Sequence, residues 1–130
     1  MSKLPIEKID KHILPLVIAL NQTEAIRTSG SCEGHGLQRT ASIIFNVIDT
    51  EKWNALLFKL FFLNRDLKES NINLVQRHYL SIENDHIIDW ELIVEVHPRN
   101  REITEPEDKR ILRVKNKTFD QIINVLKEVG

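Results

Sequence analysis

Cysteine and glycine are scarce in this chain of 130 residues, which holds one cysteine and four glycines. A lone cysteine cannot form an internal disulfide, so packing and hydrogen bonds must hold the fold, and we expect a reducing, cytoplasmic location. A long hydrophobic run is also missing, because the longest apolar cluster, residues 55–63, is interrupted by Lys59. A membrane-spanning helix needs ~20 apolar residues, so we expect no membrane partner.

An excess of charge of either sign is absent as well. The chain has 18 basic and 19 acidic residues, which gives a net charge of -1. A broad nucleic-acid-binding surface requires a surplus of lysine and arginine, so we expect none. The length and an apolar content of 42% suit one core, and we predict a single domain over residues 1–130.

Three of the four glycines and the only cysteine lie together between Thr28 and Gly36. Glycine permits positive φ or a close approach of the backbone to a ligand, and successive N–H groups in such a turn can converge on an anion. We therefore predict a glycine-rich loop over residues 28–36 that binds a polar or anionic small ligand or a nucleotide. The candidate ligand-binding residues are Thr28, Gly30, Ser31, Gly34 and Gly36.

Cys32, Glu33 and His35 are the candidates for catalysis in this loop. His35 is close enough in sequence to act as a base toward a Cys32 thiolate, and Glu33 is an alternative general base. The competing interpretation makes Cys32 a small buried apolar side chain that anchors the loop. In that case Glu33 is a solvated carboxylate and His35 a hydrogen-bonding side chain of the loop.

Two other ligand types fit the loop less well. The spacing Cys-x-x-His supplies two zinc ligands, whereas a structural site needs four and a catalytic site three, so we assign no metal. As a phosphate cradle, the loop lacks the Lys-Ser/Thr ending of a P-loop and the glycine spacing of a dinucleotide-binding motif.

Hydrophobic periodicity and turn signals predict four helices and four strands. The predicted helices cover residues 6–20, 51–67, 105–115 and 119–129. The predicted strands cover residues 25–28, 40–48, 73–82 and 86–96. Pro15 should kink or split the first helix, and Thr118 should cap the last one. This order predicts an α+β fold, with a mixed or mostly antiparallel sheet of about four strands and helices packed mainly on one face.

The helix over residues 51–67 is apolar on two faces, since Phe58 and Phe62 lie roughly opposite its main stripe. The main stripe consists of Trp53, Leu56, Leu57, Leu60, Phe61, Leu63 and Leu67. The rings of Phe58 and Phe62 should pack against the C-terminal helices or against a second subunit. The second case defines an alternative function, a non-enzymatic homodimeric interaction module in which the loop is only structural.

The run from Ser31 to His35, preceded by Leu20-Asn21 and by Ile26-Arg27-Thr28, resembles a group of small uncharacterised prokaryotic proteins with a Ser-Cys-Glu-Gly-His signature. A more distant similarity is to the tRNA wybutosine-synthesising methyltransferase family, whose Thr-Ser-Ser-Cys-Ser-Gly-Arg type of motif matches Thr28, Ser31, Cys32 and Gly34. That similarity implies S-adenosylmethionine as cofactor and a modified guanosine of tRNA as substrate. Glu33 stands in place of a serine and His35 in place of the arginine, so we transfer the location of the site and not the reaction.

Overall fold

The computed structural model describes residues 12–32, 40–98 and 105–129. These ranges contain three helices, α1 (Leu14–Gln22), α2 (Thr50–Asp66) and α3 (Glu105–Val129). They also contain four strands, β1 (Ile26–Cys32), β2 (Thr40–Val47), β3 (Ser70–Leu80) and β4 (His86–Val96). The strands form one sheet in the order β1-β2-β4-β3, and every neighbouring pair is antiparallel. The helices lie mainly on one side of the sheet, so the prediction of an α+β fold is confirmed.

The core lies between the helices and the face of the sheet that they cover. Alternate residues of β2 and β4 point into it, as expected when a strand has one buried face. The buried residues that these two strands contribute are Ala41, Ile43, Phe45, Leu92, Val94 and Val96. Trp53 of α2 meets Phe45 and Trp90 edge-on, with ring centroids 5.1 and 5.4 Å apart. These contacts fix α2 against the central strands.

Helix α2 follows the sequence prediction closely at its ends. The Asp49 carboxylate accepts a hydrogen bond of 3.1 Å from the backbone N–H of Lys52, which caps the first turn. Trp53, Leu56 and Leu60 are buried as expected. Phe61, which the sequence placed on the same stripe, is 66% exposed. One step of ~100° beyond Leu60 carries it past the buried edge of the helix.

Helix α1 begins at Leu14, which places Pro15 in its first turn. The ring causes no kink there, because the first N–H groups of a helix have no intrahelical partner. The first part of the predicted helix, residues 6–11, lies outside the described residues, so the predicted kink or split of a longer helix stays a prediction. The helix ends at Gln22, and Glu24 takes a φ of 61° at the turn into β1.

Helix α3 is one element of 25 residues, so the predicted division into two helices is wrong. Thr118 does not cap a new helix. Its hydroxyl donates to the carbonyl of Val114 at 2.9 Å and lies 2.7 Å from the hydroxyl of Ser70. A threonine can satisfy its hydroxyl in this way within a helix, and the apolar stripe continues through it. None of the helices in the described ranges is long and apolar enough to cross a membrane.

Asn21 links α1 to β1, and we expect its replacement by alanine to destabilise the fold. Its side chain donates to the hydroxyl of Thr28 at 2.9 Å and accepts from the N–H of Thr28 at 3.1 Å. Because Thr28 is buried, Asn21→Ala should lower the free energy of unfolding in urea by about 1–3 kcal/mol. Gln22→Ala, at the exposed neighbouring position, should change it by less than about 0.5 kcal/mol. Equal effects of the two substitutions would contradict this role.

Candidate functional site

The residues that the sequence assigned to a site are divided between a strand and a segment outside the description. Thr28 to Cys32 belong to β1, so the prediction that the loop begins at Thr28 is wrong. Glu33, Gly34, His35 and Gly36 lie within residues 33–39, outside the described residues. The run Thr-Ser-Gly-Ser-Cys has the composition of a turn, but pairing with β2 makes it extended.

A β-bulge between Thr28 and Gly30 decides which face each of these residues occupies. Before the bulge Thr28 pairs with Phe45, and after it Ser31 pairs with Ile43, so both lie on the helix-covered face. Gly30 pairs with Ile44 and Cys32 with Ser42 on the opposite face. The candidate residues therefore do not form one cluster, because the sheet separates them.

Each residue of β1 also has a distinct environment. Thr28 is buried, and Asn21 occupies its hydroxyl and its N–H. The Ser31 hydroxyl oxygen is buried and makes no hydrogen bond within the described part of the chain. Gly30 does not take a positive φ, and a Cβ added there would meet Ile44 at an ordinary distance of 3.7 Å. Cys32 is half-buried with a free thiol.

We call the side of the sheet opposite the helices the open face. Its residues alternate with the buried ones along each strand. The row at its β1–β2 loop end runs through Cys32, Ser42, Ile93 and Asn73. The next row runs through Thr40, Glu95 and Asn71. His97, just after β4, shares a hydrogen bond of 2.8 Å between its Nε2 and the Asn71 side-chain oxygen.

Ser42, Glu95, Asn71 and His97 were not predicted as site residues. Strand alternation predicts which of them share a face, but only the register between strands shows that they lie beside Cys32. At this end the described side chains supply hydroxyl and amide groups and one exposed carboxylate, that of Glu95.

The other end of the open face carries an ion pair. Arg77 binds Asp89 through two hydrogen bonds, Nε to Oδ1 at 2.7 Å and Nη2 to Oδ2 at 2.9 Å. The Tyr79 hydroxyl donates to Oδ2 of Asp89 at 3.0 Å. Although Asp89 lies on the open face, its side chain is only 6% exposed. Two long side chains of the adjacent strand, Arg77 and Tyr79, donate hydrogen bonds to its carboxylate and cover it.

These hydrogen bonds shift the titration of all three groups. The bond from Arg77, aided by that from Tyr79 and opposed by desolvation, holds the pKa of Asp89 below its usual value. The bond to Asp89 in turn raises the pKa of Tyr79 and that of Arg77. Every charge here has its partner within the cluster, which indicates that the cluster stabilises the hairpin of β3 and β4 rather than performing chemistry.

Comparison with known proteins identifies no relative of this chain. No protein-family model, curated protein or solved structure matches the chain. Among the described residues, no group of three or more histidine, cysteine, aspartate or glutamate side chains could hold a metal ion. The interpretation of the site therefore rests on its own geometry.

The ion pair predicts an acid dependence of stability that Asp89→Asn should remove. Because its native pKa lies below the unfolded value of ~3.9, the unfolded state binds the proton first as the pH falls. The stabilisation is thus complete above that value and is lost as the pH drops through the native pKa. The difference in urea midpoint between wild type and Asp89→Asn should therefore be large near neutral pH and shrink below about pH 4.

Glu95→Gln, which removes an exposed carboxylate from the same strand, is the control for this measurement. It should leave the acid dependence of the wild type unchanged. A constant difference between wild type and Asp89→Asn at all pH values would contradict the assigned pKa shift.

Proposed function

We propose that the protein binds a polar or anionic small ligand, or a nucleotide, at the β1–β2 loop end of the open face. The observation that carries this proposal is the position of Cys32. It ends β1 on the open face, half-buried beside Ser42, and the chain passes directly from it into Glu33-Gly34-His35-Gly36. The Cys32 thiol thus lies where the sheet leaves polar groups uncovered, and a carboxylate and an imidazole follow it in the sequence within three residues.

The neighbouring rows support a polar ligand. Ser42 pairs with Cys32, and Thr40, Glu95 and Asn71 form the next row. Hydroxyl and amide groups orient a ligand by hydrogen bonds, and the Glu95 carboxylate favours a ligand that also offers donors. Any chemistry would fall to Cys32, Glu33 or His35, with the imidazole or the carboxylate as base.

The similarity to wybutosine-synthesising methyltransferases contributes a location to this proposal and no reaction. Of the four matching residues, Thr28 is buried against α1 and Ser31 lies on the helix-covered face, which leaves Cys32 and Gly34 as the candidates for contact with a cofactor. S-adenosylmethionine therefore belongs among the ligands to be tested.

A thermal-shift series tests the ligand site. The panel would contain S-adenosylmethionine, S-adenosylhomocysteine, nucleotides, inorganic phosphate and small carboxylates. A compound that binds the native state raises the melting temperature, by an amount that corresponds to ~2.7 kcal/mol at 100 times its dissociation constant. Cys32→Ser and His35→Ala should keep the fold but lose at least most of this shift. The matched control is His78→Ala, an exposed histidine near the opposite end of the sheet.

A shift that survives in both loop variants would place the ligand elsewhere. No shift with any compound, combined with lower melting temperatures of the unliganded variants, would make residues 32–35 structural and reject the proposal.

A second candidate function is self-association through α2. Phe58 and Phe62 are 67% and 47% exposed, so packing of both rings against the C-terminal helix is not found. Phe61 is 66% exposed beside them, with its ring centroid 5.7 Å from that of Phe62. The guanidinium of Arg65 lies 5.1 Å from the Phe62 ring. Aromatic rings and arginine are enriched at protein interfaces, and a cluster of this kind marks a contact surface.

Light scattering over a range of protein concentrations tests this second function. We expect a monomer–dimer equilibrium that Phe58→Ala and Phe62→Ala weaken at least tenfold each, equivalent to ~1.4 kcal/mol or more. Ile82→Ala, which truncates a fully exposed apolar residue in the β3–β4 turn, should not change it. A wild-type protein that stays monomeric at every concentration would refute the homodimer.

A further inference from the structure

A groove lies between the N-terminal half of α2 and the sheet. It has a volume of about 510 Å³, and Trp53, Trp90, Leu57, Ile88, Asn54 and Gln76 are among its lining residues. Val47, the last residue of β2, also lines it, whereas Cys32 pairs beside the start of that strand. At ~3.3 Å per residue, the groove and Cys32 are separated by most of the length of β2. The groove is therefore distinct from the proposed ligand site.

The chemistry of the lining restricts what this groove can hold. None of the residues that line it is ionisable. A charged group placed in it would lose hydration without gaining an ion pair, so the groove disfavours charge. Tryptophan, leucine and isoleucine supply apolar walls, and aromatic walls favour a flat partner that can stack or meet them edge-on.

Two side chains of the groove keep polar groups available to a ligand, whereas Nδ2 of a third, Asn46, donates to the Ile88 carbonyl at 3.1 Å. The side chain of Asn54 is exposed and makes no hydrogen bond within the described residues. The Gln76 side-chain oxygen is engaged by Nε2 of His78 at 3.1 Å, which leaves the Gln76 amide N–H groups as donors. Two carboxamides on opposite walls, one on α2 and one on β3, therefore offer both donors and acceptors.

Trp53 is one of the aromatic residues of the wall. Its side chain is almost fully buried, and its indole N–H makes no hydrogen bond within the described part of the chain. Because the indole nitrogen itself is buried, Trp53 offers a ligand its ring and not its N–H. The Thr50 hydroxyl lies at the same groove, at the start of α2.

We propose that this groove binds a neutral, planar heterocycle whose edge carries both hydrogen-bond donors and acceptors, such as an uncharged nucleobase. The ring packs against Trp90 and Ile88, while Asn54 and Gln76 bind its edge. The lack of ionisable side chains among the lining residues disfavours a phosphate or carboxylate in the groove itself.

The two tryptophans make this proposal directly measurable. They are the only tryptophans of the chain, and both line the groove. Neutral nucleosides (adenosine, guanosine, cytidine and uridine) are titrated into the full-length protein, with excitation at the red edge of the indole absorption. We expect a saturable change in fluorescence with at least one of them.

Substitutions on the rim separate specific binding from nonspecific quenching. Asn54→Ala and Gln76→Ala should each raise the dissociation constant about fivefold, since each removes one hydrogen-bonding group. Both positions are exposed, and circular dichroism checks that the fold is retained. Gln22→Ala, which removes an exposed amide from α1, should leave the affinity unchanged.

Three results would overturn the proposal. The first is that no nucleoside gives a saturable change in fluorescence, and the second is that the rim variants bind with the same affinity as wild type. The third is that methyl glycosides, which have a sugar but no base, bind saturably in place of nucleosides. Cys32→Ser should not alter nucleoside binding at the groove, so this experiment can fail or succeed independently of the ligand site at the open face.

Discussion

The covering of one face of the sheet by the helices is the constraint on which the rest of this structure depends. Phe45 and Trp90, directly paired on β2 and β4, both meet Trp53 of α2 edge-on. Large aromatic side chains dominate the energetics of such a core. A slip of one residue in either strand would turn its apolar residues to the open face, so this packing holds the register of the central strands.

The register in turn determines which polar residues become neighbours. With Phe45 opposite Trp90, Ser42 is brought opposite Ile93 and Thr40 opposite Glu95. On the other side of β2, the bulge in β1 shifts the pairing so that Cys32 faces Ser42 on the open face. The chemical character of the β1–β2 loop end thus follows from hydrophobic contacts on the opposite side of the sheet.

Buried polar pairs explain why some residues with functional or capping signatures have structural roles. Thr28 is held by Asn21, and Thr118 bonds both to Ser70 and to a carbonyl of its own helix. Each pair joins two elements and satisfies groups that would otherwise be buried without a partner. The sequence alone indicated a ligand-binding residue at Thr28 and a helix cap at Thr118. A threonine hydroxyl can bind a ligand, cap a helix or join two elements, so its residue type does not distinguish these roles.

Local signals in the sequence determined the elements whose ends and faces depend on nearby residues. The cap at Asp49, the buried stripe of Trp53, Leu56 and Leu60, and the alternation along β4 belong to this group. The turn between β3 and β4, where Asn84 takes a φ of 64°, also belongs to this group. These features follow from side-chain hydrogen bonds within a few residues and from the periodicity of the backbone.

Only the tertiary structure decided the extent of β1, the continuity of α3 and the position of Cys32 beside Ser42. In each case the deciding partner is distant in sequence. Pairing with β2 makes a turn-like run extended, and the hydroxyl of Ser70 meets Thr118 within an unbroken helix. The groove beside Trp53 likewise requires α2, β3 and β4 together. Propensity and periodicity describe a segment by itself, whereas strand pairing and burial are set by the surfaces against which it packs.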